Sequence, residues 1–407
     1  MKLINISASV LFVLTPISGA FAAAMDRSGQ SIGAFLQPGN YFEAGISVLD
    51  PKVGGVTVDG NKVTDMANYY YFPSAALKLQ VNESFSFGLL YDQPFGASAD
   101  YTDGGKYTGT NVKVNTNSLS ALIGFQPNEN LNFYGGAVYQ DVRGNITLSS
   151  VATGYNASFE KDDGFGWLAG FAYQIPEIAL KLSMTYRSEI DHELKTTETA
   201  PNLTSTIAYL TSIGANSPLG PGGIPAYTQY LQALGANSVM NNGQASKDTK
   251  ISTPQSVNLD FQTGIMENTV AFANVRWVEW GGLAIDIDKF GQLTQLAGQR
   301  ENIIEYNKDQ WSANLGVGRK LNEQWSGAFS VGWDSGAGNP VTALGPTEGY
   351  WNVGLNAQFS PTPSTFIGGG VKYFWLGDAD GKSAGQPVGK FTDNDALAYG
   401  IKMGYRF

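Results

Sequence analysis

With fifty glycines, 20 Tyr, 22 Phe, 8 Trp, only 15% charged residues and no cysteine among 407 residues, the chain excludes a disulfide-stapled scaffold and a His/Cys metal centre. Its mean hydropathy of -0.14 and the lack of any apolar run of about eighteen residues beyond the start exclude a helical membrane bundle. A formal net charge of -10 argues against nucleic acid as a partner.

Residues 1–22 read as an export signal: Lys2 supplies the positive region, residues 10–14 the apolar heart, and Ala20-Phe21-Ala22 a small-x-small cleavage site. Ala22-Ala23-Ala24 fits nearly as well, so the mature chain is expected to begin near Ala23 or Met25. Residues 23–40 follow with Gly and Pro punctuation and no sustained alternation, too polar for a lipid-facing strand. They read either as a loose tail or as a plug inside a lumen, and the apolar cluster Ile32, Phe35 and Leu36 favours the plug.

From Tyr41 to the end the connections fall into two kinds. Residues 81–84, 126–130, 174–177, 266–268, 321–324 and 360–363 are tight polar turns rich in Asn, Glu or Pro. Between them lie longer polar connections near 51–67, 97–110, 144–162, 193–250, 281–308, 335–347 and 378–394. Six short turns alternating with seven long loops predict fourteen strands over residues 41–407. An even strand count with the short turns on one side is the arrangement of a bacterial outer-membrane barrel.

The third strand alternates cleanly through Phe85, Phe87, Leu89 and Tyr91, and then Gln93, Pro94, Phe95, Gly96 and Ala97 interrupt it. Pro removes a ladder donor and Gly permits a bulge, so this is either the strand's end or a kink that leaves a local gap in the wall. Further on, Phe165, Trp167, Phe171 and Tyr173 alternate with Gly164, Gly166, Gly170 and Ala172, and Trp325, Phe329, Val331 and Trp333 with Ser326, Ala328, Ser330 and Asp334. The apolar sets are expected to face lipid and the small or polar sets a lumen, which also receives Lys78, Lys181, Arg187, Arg276 and Lys372. A fourteen-stranded lumen is too wide for strand side chains alone to fill.

The longest loop, 193–250, carries two stretches of helical spacing. Ile207, Tyr209, Leu210 and Ile213 end at Gly214; Tyr227, Tyr230, Leu231 and Leu234 end at Gly235. Two amphipathic helices at the outer mouth either cap each other or offer a greasy landing site. His192, the single histidine, reads as a solvated strand-end residue, and no nucleophile–base pair for catalysis is visible. Asp378, Asp380, Asp393 and Asp395 either hold Ca²⁺ or keep the rim soluble. The last strand alternates Leu397, Tyr399, Ile401, Met403, Tyr405 and Phe407 with Ala, Gly, Lys and Arg and stops on an aromatic. That fits the closing strand of a barrel between two aromatic girdles.

The segment 182–190, with Thr185-Tyr186-Arg187-Ser188-Glu189 as its most specific part, the opening Thr253-Pro254-Gln255-Ser256, the interruption Pro94-Phe95-Gly96 and the C-terminal strand together resemble the FadL family of outer-membrane transporters for long-chain fatty acids and other hydrophobic compounds. The resemblance implies an all-β fold: a 14-stranded antiparallel transmembrane barrel with a short N-terminal hatch and a helical extracellular loop. It implies a monomer in the bacterial outer membrane, among outer-membrane lipid, with no enzymatic activity, no cofactor and no metal. It further implies first binding of a hydrophobic small molecule at the loop helices (Tyr209, Leu210, Tyr230, Leu231), a deeper site beside the hatch, and lateral exit through the kink at Gln93, Pro94, Phe95, Gly96 and Ala97. A ligand's polar head is expected near Arg187 or Arg276 and its tail against Phe35, Leu36 and Phe95. The family's hatch is usually longer and holds an Asn-Pro-Ala motif, absent here, where Gln37-Pro38-Gly39 stands nearest. A general diffusion porin or a structural surface barrel is the alternative. A porin wants a charged constriction, which the mostly Gly, Ser, Asn and Ala inner faces do not supply.

Overall fold

The computed structural model describes residues 25–149 and 154–407; the expected signal segment lies outside them. Fourteen strands form the wall: β1 Tyr41–Lys52, β2 Tyr70–Gln80, β3 Phe85–Asp92, β4 Asn111–Asn128, β5 Leu131–Leu148, β6 Tyr155–Ile175, β7 Leu180–Arg187, β8 Ser256–Met266, β9 Thr269–Val278, β10 Gln310–Lys320, β11 Trp325–Asp334, β12 Tyr350–Phe359, β13 Thr365–Leu376 and β14 Asn394–Arg406. Each pairs antiparallel with its sequence neighbours, and β1 pairs with β14 from Tyr41↔Arg406 to Lys52↔Asp395, so the sheet closes. Closure leaves neither terminal strand with a free edge, which lipid demands because it offers no hydrogen bonds.

The alternation holds at side-chain level. On β14, Tyr399 and Ile401 are 48% and 52% exposed whereas Ala396 and Ala398 are 1% and 0%. Phe165, Trp167, Phe171, Trp325, Phe329 and Trp333 likewise face outward.

Three strands outrun the membrane. β4 and β5 have 18 residues and β6 has 21, against about 9–11 for a membrane-crossing strand. The expected loop 144–162 is therefore mostly strand: Asn145↔Ser158, Ile146↔Ala157 and Thr147↔Asn156 continue the ladder. The polar outer faces that read as loop are the solvated side of this extension. Its inner face, with Val142, Ile146, Tyr155 and Phe159, forms an extracellular core with Trp280, Ile285, Phe290 and Ile304 of the 281–308 connection and its approach.

Three helices cover this end: α1 Leu203–Ser212, α2 Gly223–Met240 and α3 Asp288–Leu296. Gly235 does not stop a helix; α2 runs through it, and a side chain there would press on Leu296 of α3, 3.1 Å away. The glycine marks a close helix approach instead. α3 was not expected, because its first turn is capped from afar: the Glu198 carboxylate accepts the Lys289 and Phe290 N–H groups at 3.0 and 2.8 Å.

Candidate functional site

The wall is interrupted once along β2 and β3. Their register runs from Gln80↔Ser86 to Ala75↔Tyr91 and stops. Beyond the interruption the chain returns as Gly96–Asp100, still paired with β4 from Gly96↔Asn115 to Asp100↔Asn111. Since Asp92 pairs with Ser118, the β3 side carries one residue more than β4 over this stretch, a bulge at which Pro94 lacks an N–H. Thr116 fixes the bulge: its hydroxyl accepts the Phe95 N–H at 2.9 Å and donates to the Phe95 carbonyl at 2.7 Å. Backbone contact resumes with the residues ahead of β2, where the Asn68 N–H reaches the Ser98 carbonyl at 3.5 Å, Ala67 bridges Ala99 and the Asp100 N–H donates to the Met66 carbonyl at 2.7 Å. The segment is thus a kink, not a strand end.

Residues 25–40 occupy the lumen beside this kink. Arg27 N–H donates to the Pro94 carbonyl at 2.7 Å and Gly96 N–H to the Met25 carbonyl at 2.8 Å, so the hatch adds a fragment of strand to the broken edge. Arg276 holds the same end: its Nε donates to Asp26 Oδ2 at 2.7 Å, and its terminal nitrogens to Asn258 Oδ1 at 2.6 Å and Gln30 Oε1 at 3.0 Å. Arg187 donates to the Gln30 carbonyl at 2.5 Å, Lys181 to that of Leu36 at 2.9 Å, and Lys78 to those of Gln37 and Gly39 at 3.0 and 2.9 Å. Four of the five expected lumen cations, Arg276, Arg187, Lys181 and Lys78, therefore hold the hatch in place. Arg187 and Arg276, expected near a ligand's head, are bound to hatch atoms, and neither forms an ion pair with Glu189 or Asp260 among the described residues.

The expected tail-binding trio is not brought together. Phe35 and Leu36 pack deep in the lumen with Leu122, Tyr134 and Leu168, the Phe35 and Tyr134 rings meeting edge-on at 5.8 Å. Phe95 instead belongs to the extracellular core, with its ring edge-on to Trp280 at 5.4 Å. Beside it opens an apolar pocket of about 620 Å³, part of it open to solvent, bordered by Met25, Phe95, Val142, Ile146, Phe159 and Trp280. The one charged residue on its border, Arg143, is exposed. A second, polar cavity of about 1290 Å³, part of it open to solvent, lies on the periplasmic side between the hatch and the wall, and reaches Phe72, Pro73, Tyr91 and Asp92 at the interruption.

Among the loop residues, Leu210 is buried and Tyr230 packs beside it between α1 and α2, whereas Tyr209 and Leu231 are 63% and 49% exposed. None of the four borders either cavity. The helices cap one another and present their outer apolar side chains to solvent. His192 is buried, not solvated: its Nε2 lies 3.2 Å from Gln140 Oε1 and its Nδ1 3.5 Å from Asp162. Among the described residues no group of three or more His, Asp or Glu side chains is placed to hold a metal.

Sequence reasoning passed over Asp26, Gln30, Met25, Thr116 and Trp280. Only Trp280 carried a usable signal, as a second Trp two residues past the end of β9, where a solvated loop needs none.

The family model for outer membrane protein transport proteins (OMPP1/FadL/TodX) matches residues 23–407. Among solved structures, a Pseudomonas aeruginosa FadL homologue superposes with a TM-score of 0.69 at 16% identity, covering 96% of this chain and 97% of its own. The Pseudomonas putida toluene transporter TodX gives 0.60 at 12%, covering 92% and 91%, and the CymD monoaromatic hydrocarbon channel 0.54 at 11%, covering 91% and 89%. None of the curated proteins matches. Fourteen closed strands, a lumenal hatch and a family match over the whole described length make this chain a bacterial outer-membrane β-barrel of the OMPP1/FadL/TodX family of hydrophobic-compound transporters.

Proposed function

We propose that the chain takes up uncharged hydrophobic compounds, which bind in the apolar pocket beside Phe95 and Trp280 and leave sideways through the interrupted wall. The pocket carries this reading: every inward group on it is apolar or a hydroxyl, and Arg187 and Arg276 are bound to hatch atoms away from it. A carboxylate placed there without a partner would cost several kcal/mol of desolvation, which disfavours fatty-acid anions against neutral molecules. That the solved relatives named above include a toluene transporter and a monoaromatic hydrocarbon channel supports the same preference.

Lateral exit follows from solvation. Backbone without ladder partners survives at membrane depth only where protein or a cavity covers it, and the interruption is bordered by a cavity on its lumen side. An apolar ligand released there enters hydrocarbon directly and gains about 0.8 kcal/mol per CH₂ relative to water. For a tail of ordinary fatty length that is roughly 10 kcal/mol, enough for a wall exit to dominate over periplasmic water. The test is ligand binding followed by Trp fluorescence, with toluene and laurate compared. Tighter binding of laurate, reversed by removing Arg187 or Arg276, would overturn the uncharged-ligand reading. A large steady conductance in planar bilayers would favour the porin; the filled lumen predicts a small one.

A further inference from the structure

The register that joins Ala75 to Tyr91 and Ala67 to Ala99 sets Tyr70 opposite Gly96, yet no ladder joins these two. Arg27 fills the place from inside. Its guanidinium carbon lies 4.1 Å from the centre of the Tyr70 ring, and a β-carbon on Gly96 would collide with that same carbon. Gly96 is thus a glycine because a hatch side chain lies across it. Arg27 is 3% exposed, its Nε has no hydrogen-bond partner, and among the described residues no carboxylate stands within ion-pair distance. A buried cation resting on a ring is held less firmly than one in a hydrogen-bonded ion pair such as Arg276–Asp26.

Arg27 stands next to two spaces: Tyr70 and Gly96, which it touches, border the first, and Ser28, the residue after it, borders the second. On the extracellular side lies a space of about 760 Å³, part of it open to solvent, bordered by Met66, Ala67, Tyr70, Gly96, Ala97 and Tyr306. On the periplasmic side the polar cavity reaches the wall at Phe72, Pro73, Ser74 and Asp92. The upper chamber shares Met25 and Ile304 with the apolar pocket beside Trp280. The apolar pocket and the upper chamber therefore meet at Met25, and Arg27, packed on Tyr70 and Gly96 of the upper chamber, lies on the side of it that faces the polar cavity, with which that chamber shares no lining residue.

We propose that Arg27 is the bolt of the wall opening, and that the chamber above it is a second station for an uncharged hydrophobic ligand, which leaves only when Arg27 withdraws. The proposal rests on lateral exit. The coupling is short: a ligand that displaces Met25 breaks the bond from the Gly96 N–H to the Met25 carbonyl, and the Arg27 N–H to Pro94 bond is the next along the same fragment of strand. Withdrawal leaves Tyr70 and Gly96 facing each other across an uncovered gap.

The experiment uses whole bacterial cells with an intact lipopolysaccharide leaflet and the neutral probe N-phenyl-1-naphthylamine. Arg27→Ala is expected to raise its uptake rate at least threefold over the unaltered chain, with barrel folding checked by heat-modifiable gel mobility. Arg27→Cys with Tyr70→Cys, joined by a short reversible thiol cross-linker in a chain that has no other cysteine, is expected to bring uptake down to that of cells lacking the protein, and reductant to restore it. An unaltered or slower rate in Arg27→Ala, with the cross-link still blocking, overturns the bolt alone. Full uptake through the cross-linked protein overturns lateral exit itself, and the bolt with it.

Discussion

Replacing Asp26 by Asn should free the hatch's first turn without unfolding the barrel. Arg276 and Asp26 are 2% and 1% exposed at the side chain, and their 2.7 Å contact is the one ion pair between hatch and wall among the described residues. Removing one partner of such a buried pair costs about 3–5 kcal/mol, since the other charge stays buried and uncompensated. Three contacts soften the loss, because Arg276 still donates to Asn258, Gln30 and Ser256, so the lower end of that range, about 3 kcal/mol, is the expected figure. The wall closes through its own ladder, and the cost falls on hatch docking alone. At 1.4 kcal/mol per decade it multiplies the undocked population by roughly 10². Hydrogen exchange reads this directly: the Arg27 and Gly96 amides, donating to Pro94 and Met25, should exchange about a hundredfold faster while β9 and β14 amides stay unchanged. The double variant Asp26→Leu with Arg276→Met should exchange more slowly than the single one, since no charge is left stranded. Unchanged exchange at Arg27 and Gly96 in Asp26→Asn would refute the claim that this pair latches the hatch.

Trp280→Ala should weaken binding of a neutral hydrophobic ligand at least tenfold, measured by calorimetry, because the fully buried indole borders the apolar pocket, packs on Phe95 and Tyr306 and donates to Gln310 at 2.7 Å; equal affinity would exclude the pocket as the site. Glu198→Gln should loosen α3 by about 1–3 kcal/mol, since the carboxylate also accepts the Tyr155 hydroxyl at 2.7 Å, and faster amide exchange confined to residues 288–296 would report it. Burial lowers the His192 pKa, with nearby Asp162 opposing the shift. A histidine held below its ordinary 6.5 contributes stability that is complete above that pH and lost as pH falls through it, so exchange of residues 190–194 should quicken on acidification and His192→Gln should abolish the dependence.

The barrel was legible because lipid enforces one rule at every residue: Tyr399 and Ile401 must be apolar where Ala398 need not be, and turn length then separates the two ends. Where water returns, the rule lapses. The outer parts of β5 and β6 are polar on their solvent side and read as loop, although Asn145↔Ser158 and Ile146↔Ala157 continue the ladder. α3 was hidden because its cap comes from Glu198, ninety residues away in sequence. The break in the third strand was legible and what packs on it was not: Pro94 and Gly96 announced an interruption, and nothing in the sequence announced that Arg27 lies across Gly96 or that Trp280 faces Phe95.

The absence of the family's Asn-Pro-Ala motif from a hatch of only residues 25–40 finds its explanation in what the wall grips. Lys78, Lys181, Arg187 and Asn258 all donate to hatch carbonyls, those of Gln37, Gly39, Leu36, Gln30 and Gly29. A carbonyl is the same at every residue, so these contacts impose no side-chain motif on the segment they hold. Long cationic side chains reach inward across a lumen that strand side chains alone leave open, and a short chain suffices to meet them. Specificity is left to the end where Asp26 meets Arg276 and Gln30 accepts from it. That end also borders the kink and the apolar pocket. The hatch is therefore held through its backbone carbonyls along most of its length and by an ion pair only at the end beside the kink, where Asp26 meets Arg276.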